Sequence, residues 1–118
     1  MFFYSYNLRE VNIPSTVEEI EQNCFYECRS LTKIEYSGWM NGNCIKKCRR
    51  LYILPKIKTL EMNNFNSYCY LSKIELHESI KEIPYCCFMD CFSLKEVNIP
   101  KECTKIDFFA FKNCISLT

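Results

Sequence analysis

Apolar residues recur along this chain at an interval of about twenty residues, longer than any helix or strand period. Leucines 8, 31, 51, 71, 94 and 117 fall in one column, with steps of 23, 20, 20, 23 and 23. Each opens a similar stretch: the first reads LREVNIPSTVEEIEQNCFYECRS, the fourth LSKIELHESIKEIPYCCFMDCFS, the fifth LKEVNIPKECTKIDFFAFKNCIS. Behind the leucine comes an alternating pair: Val11/Ile13, Ile34/Tyr36, Leu51/Ile53, Ile74/Leu76 and Val97/Ile99. A middle pair three apart follows: Val17/Ile20, Ile57/Leu60, Ile80/Ile83 and Cys103/Ile106, with only Met40 in the second stretch. An aromatic column then holds Phe25, Ile45, Phe65, Phe88 and Phe111, and three residues later stand Cys28, Cys48, Tyr68, Cys91 and Cys114. A mostly small column precedes the aromatic: Cys24, Cys44, Asn64, Cys87 and Ala110.

The alternating pair predicts one short strand per unit with both side chains on one face. A unit this small cannot bury that face alone, so neighbouring units must stack, their strands pairing in parallel about 4.8 Å apart in a slab about 25 Å long. Pro14 and Pro100 end their strands, because proline has no donor for the ladder. The Phe-x-x-Cys segment predicts one helical or 3₁₀ turn with both residues inward. Units two and three are three residues short. The gap is expected between the strand and Met40 in unit two. In unit three it is expected before the strand, with Leu51 serving two roles.

This pattern resembles the BspA-type leucine-rich repeat family, whose unit is roughly L-x-x-I-x-I-P…V-x-x-I-G-x-x-A-F-x-x-C-x-x-L. The resemblance runs along essentially the whole chain, and unit five keeps Ile99-Pro100 and Ala110-Phe111-x-x-Cys114-x-x-Leu117. It implies a leucine-rich-repeat solenoid of α/β type, with short parallel strands and short helical or 3₁₀ turns. About five repeats of 20–23 residues make a single domain over 1–118: a half unit 1–7, units 8–30, 31–50, 51–70, 71–93 and 94–116, and the start of another at 117–118. Phe2 and Ser5 fall 23 residues before Phe25 and Cys28, and nothing resembles a cap. The expectation is therefore an uncapped fragment of a longer array, or a small protein stacking end to end. The family's glycine after the middle Ile is replaced by Glu21, Asn41, Glu61, Pro84 and Asp107, which questions a left-handed turn there.

Composition narrows the function. Fifteen Lys and Arg against fourteen Asp and Glu leave a net charge of +1, giving no global argument for nucleic acid. No apolar run reaches membrane-spanning length, and residues 1–7 do not read as a secretory signal. Only Gly38 and Gly42 occur, which excludes a glycine-rich phosphate loop. Ten cysteines fit either an exported disulfide framework or reduced thiols in a reducing compartment. The absent signal favours the cytoplasm slightly, whereas the family resemblance implies a cell surface, since some members are adhesins.

The candidates for chemistry are few. Cys24/Cys28, Cys44/Cys48 and Cys87/Cys91 have C-x-x-x-C spacing, but zinc needs four converging ligands, and repeat spacing points to small buried fillers. Disulfides between equivalent positions are poorly placed, because they need Cβ atoms about 3.8 Å apart. Cys69 and Cys86 lie outside the main columns and are the candidate reactive thiols. His77 is the only histidine, in the strand-ending proline position of unit four, where a solvated loop residue is expected. Lys46-Lys47-Cys48-Arg49-Arg50 is a polyanion patch or simply the solvent side of a turn. The outward strand positions Asn12, Glu35, Tyr52, Glu75 and Asn98, flanked by Glu10, Lys33, Lys73 and Glu96, are the candidate partner-binding face. Trp39, between the two glycines, is a candidate exposed anchor or a filler for the shortened unit. The expected function is a protein-interaction module, on a surface or in adhesion by family resemblance, with no catalytic residue, metal or cofactor; the alternatives are an intracellular repeat scaffold and a truncated fragment without independent function.

Overall fold

The computed structural model describes residues 5–118, so the expected place of Phe2 lies outside the described residues. Its principal extents are 34 × 25 × 20 Å. The alternating residues form β1 (Glu10–Asn12) and β2 (Lys33–Glu35), paired in parallel with Val11 opposite Ile34. The third stretch joins through a bridge between Lys33 and Ile53, with Ile34 N donating to Ile53 O at 3.1 Å. Every strand is short because one inward residue suffices to reach the core, where Leu31, Leu51, Leu71 and Leu94 are buried.

The bridge corrects one expectation. Ile53 registers with Lys33, so Leu54, not Leu51 or Ile53, takes the inward position of Val11 and Ile34. Leu54 packs on the core and Ile53 is exposed. The three missing residues of this stretch therefore lie after the strand.

A second row of strands follows, built on the middle pair, where the sequence spacing predicted none. β3 (Trp39–Asn41) pairs in parallel with β4 (Lys56–Thr59), Met40 opposite Ile57. Farther along, β5 (Lys73–Ile74) pairs with β7 (Glu96–Val97) in the first row, and β6 (Glu82–Ile83) with β8 (Lys105–Ile106) in the second. Met40, Ile57 and Ile83 are buried from this second side.

The third side is made of turns. Among the described residues only Gly42–Ile45 is a 3₁₀ turn, so the expected helical turn in every unit is not found. Elsewhere successive turns place their third residue at positive φ: Asn23, Glu27, Asn63, Ser67, Cys86, Asp90, Phe109 and Asn113. The left-handed positions thus fall two residues beyond Glu21, Glu61, Pro84 and Asp107, and those replacements of glycine are harmless. The turns also form ladders: Phe25 N donates to Cys44 O at 2.9 Å, Phe65 N to Cys87 O at 2.8 Å and Phe88 N to Ala110 O at 2.8 Å. Phe65, Phe88 and Phe111 stack behind them with centroids 5.5 and 5.3 Å apart and rings nearly parallel.

Between the second and third stretches, side chains carry the connection. Asn64 Nδ2 donates to Asn43 Oδ1 at 3.1 Å, Glu61 N donates to Asn64 Oδ1 at 2.6 Å, and Asn43 Nδ2 donates to the Glu61 carboxylate. Asn43 and Asn64 are the two buried polar residues among those described, and these bonds satisfy them.

Candidate interaction surface

The first-row strands turn Asn12, Glu35, Glu75 and Asn98 to solvent, as alternation requires. Tyr52 is exposed but sits elsewhere. Three residues before Pro55, which aligns with Glu35, it forms an edge row with Arg9 and Thr32, its N–H donating to Thr32 O at 2.9 Å. The Asn98 amide is held by the backbone of the preceding unit. Its Oδ1 accepts from Leu76 N at 2.7 Å and its Nδ2 donates to Leu76 O at 3.1 Å. The amide replaces a missing rung of the ladder. Glu35 pairs with Lys33 at 2.6 Å, and that hydrogen bond pushes the Lys33 ammonium above its ordinary value. Lys73 and Glu96 stand 3.9 Å apart beside Glu75 and Asn98 around a shallow depression. The face is open, polar and of mixed charge.

Trp39 lies on the second row and is 37% exposed. Lys56 Nζ stands 4.9 Å from its ring centroid, and the His77 ring meets it edge-on at 4.5 Å. His77 Nδ1 accepts from Ser79 N at 3.0 Å, so the histidine is tied to its own loop. Tyr36, not Trp39, fills the shortened unit: its ring lies against Gly38 and its hydroxyl donates to Val17 O at 3.1 Å.

Among the described residues no cysteine is joined in a disulfide. The cysteine column does more than fill space, because three of its thiols face the aromatic residue's carbonyl in the preceding unit. Cys48 Sγ donates to Phe25 O at 2.7 Å, Cys91 Sγ to Phe65 O at 3.1 Å and Cys114 Sγ to Phe88 O at 3.0 Å. Tyr68, the exception in that column, makes the same bond with its hydroxyl, to Ile45 O at 2.5 Å. Burial pushes the Cys44 thiol up to about 11 and the Cys48 and Cys91 thiols up to about 12, and raises Cys87 as well. Thiolate chemistry at these positions is suppressed. Of the two candidate reactive thiols, Cys69 is half-buried, with Sγ 3.3 Å from Ser67 O. Cys86 is only 4% exposed, contrary to the expectation of an accessible thiol, because its left-handed backbone turns it beneath the surface. Among the described residues no three His, Cys, Asp or Glu side chains converge on a metal position, and no helix is long and apolar enough to cross a membrane.

Parallel pairing at intervals of 17 to 23 residues, a leucine column in the core and a cysteine column bonded to the preceding unit match one family, described as the BspA type leucine rich repeat region (6 copies), over residues 1–118. The chain belongs to the BspA-type leucine-rich repeat family. No curated protein matches the sequence. Among solved structures, the chain is similar to a leucine-rich cell surface protein from Faecalibacterium prausnitzii A2-165, with a TM-score of 0.70 and 23% identity. The match covers 98% of this chain and 39% of that one, so the BspA-type chain spans well under half the length of that neighbour.

Proposed function

We propose that this chain is a protein-interaction module, a solenoid of five stacked repeats of 20–23 residues that presents its first-row strand face to a protein partner. The observation that carries the reading is the open row of Asn12, Glu35 and Glu75, whose side chains stand on backbones held by parallel pairing and buried leucines. Such a face is fixed in shape before it binds, so little ordering opposes association. Trp39 supplies a second anchor, its ring already flanked by Lys56 and His77.

The test is affinity capture from the native source, identification of the partner and a binding isotherm with that purified partner. Glu35→Lys with Glu75→Lys is expected to weaken binding at least about tenfold, through like-charge juxtaposition. Unchanged binding removes the strand face as the site. A surface role is supported by the cell surface protein whose fold is similar. The ten cysteines outside disulfides favour a second reading, an intracellular scaffold in a reducing compartment. Staining intact and permeabilised cells with one antibody separates the two.

A further inference from the structure

The corner where the turns lead into the first strand row carries a groove that the strand-face reading does not use. Arg9, Glu10, Ser30, Thr32 and Arg50 line one depression of about 320 Å³. Thr32 and Arg50 continue it into a second, closed by Tyr52 and Tyr70. Tyr52 is 44% and Tyr70 56% exposed, and the Arg50 guanidinium lies 5.7 Å from the centroid of the Tyr70 ring. Lys46, Lys47 and Arg49 precede Arg50 in sequence and extend the positive charge along the turns.

Two features leave this charge uncompensated. The ion pairs among the described residues are Arg29–Glu27, Lys33–Glu35, Lys73–Glu96 and Lys105–Glu82, and none engages Arg9, Arg49 or Arg50. Glu10, the one acid lining the groove, stands opposite Lys33 across the β1–β2 pair and helps to raise its pKa. Unpaired guanidinium forks seat carboxylates with two parallel hydrogen bonds, and tyrosine rings give flat contact area at low entropic cost. Arg and Tyr are also the residues that most often dominate protein interfaces.

We infer that the Arg9–Arg50–Tyr52–Tyr70 groove binds a short acidic segment of a protein partner. Length follows from the size of the groove, whose two depressions of about 320 and 180 Å³ hold only a few residues. A few closely spaced carboxylates match its two guanidinium groups, and a sulfated polysaccharide is the competing occupant that the experiment tests. The inference rests on the protein-interaction reading and adds the partner's chemistry, through residues other than Glu35 and Glu75.

The experiment is fluorescence anisotropy with a labelled octapeptide of alternating glutamate and serine, at about 20 mM and 150 mM salt. Saturable binding that weakens with salt is expected. Arg9→Ala with Arg50→Ala should weaken it at least about tenfold, and Arg9→Lys with Arg50→Lys by an intermediate factor, because charge remains but the fork is lost. Lys81→Ala with Lys101→Ala removes the same charge elsewhere and should leave it unchanged. Glu35→Lys with Glu75→Lys should keep or tighten peptide binding, even where it abolishes partner capture, so the two readings fail separately. Absence of saturable binding, equal loss in the Lys81/Lys101 control, or tighter binding of a heparin octasaccharide than of the peptide overturns the inference.

Discussion

Phe25, Phe65 and Phe88 each offer one buried carbonyl to two donors, the N–H three residues on and the thiol of the next unit. A carbonyl has two lone pairs, and this arrangement uses both. Tyr68 tests the idea that donation, not size, defines the cysteine column. Its hydroxyl donates to Ile45 O at 2.5 Å and accepts from Cys48 N at 3.2 Å. Tyr68→Phe keeps the ring in place but leaves Ile45 O and Cys48 N with only the 3.2 Å bond between themselves, at a cost of about 0.5–1.5 kcal/mol for the lost hydroxyl. Tyr52→Phe, at an exposed ring, should stay within about 0.5 kcal/mol. Urea melts of the two variants check the contrast; equal, near-zero effects would mean that the column is only filler. The sequence pattern identified this column as buried, yet read it as packing. The clue was present in Tyr68 itself: a residue that large shares a slot with cysteine only if the shared property is a hydrogen-bond donor at its tip.

At the scale of elements, the leucine column and the first strand row were legible because alternation and spacing repeat in every unit. The second row was not, because β6 and β8 are two residues long and their inward residues come from a pair three apart, a spacing that reads as a turn. The shortened third stretch misled for a similar reason. Leu51, Ile53 and Leu54 all look like strand residues, and only the register with Lys33 separates them. The 3₁₀ turn at Gly42–Ile45 has its own local cause: Asn41 Oδ1 caps it by accepting from Asn43 N at 2.9 Å. Gly42 is required there by space. A Cβ would lie 2.5 Å from Asn64 Oδ1 and 2.8 Å from Thr59 O, one of them backbone and the other held in the buried amide network. At Gly38 the nearest atoms belong to the outer end of the Tyr36 side chain, which can give way at the cost of its hydrogen bond to Val17 O, a smaller loss than moving backbone. Gly42→Ala should therefore destabilise by about 1–3 kcal/mol, and Gly38→Ala by clearly less. Thermal melts of both variants decide this, and the reverse order would contradict the crowding at the Asn43–Asn64 junction.

Across the whole molecule, the placement of Glu35 and Glu75 followed from alternation alone, whereas the arginine–tyrosine groove needed three dimensions. Arg9, Arg50 and Tyr70 come from three units, and no single stretch of sequence shows them together. The thiols give a property of the entire stack. Burial raises Cys28, Cys44, Cys48, Cys87, Cys91 and Cys114 above the ordinary 9.0, chiefly by desolvating the thiolate. Above pH 9 the unfolded chain loses thiol protons that the folded chain still holds, so the unfolded state binds fewer protons and stability falls as pH rises. The stabilising contribution is complete below pH 9 and is lost on the way to about 11 for Cys44 and about 12 for Cys48 and Cys91. Burial of the Tyr68 phenol acts in the same direction at higher pH. The exposed pairs Lys33–Glu35 and Lys105–Glu82 add only weakly, since solvent screens them. Urea midpoints under reductant should thus be level from about pH 7 to pH 8.5 and drop steeply between about pH 9 and pH 10.5. A single Cys48→Ala or Cys91→Ala variant should start less stable but fall less steeply, because one ionising thiol has left the difference between the states. A midpoint that stays flat to pH 10.5 would mean that these thiols ionise in place, and so that the column is open to water between the units.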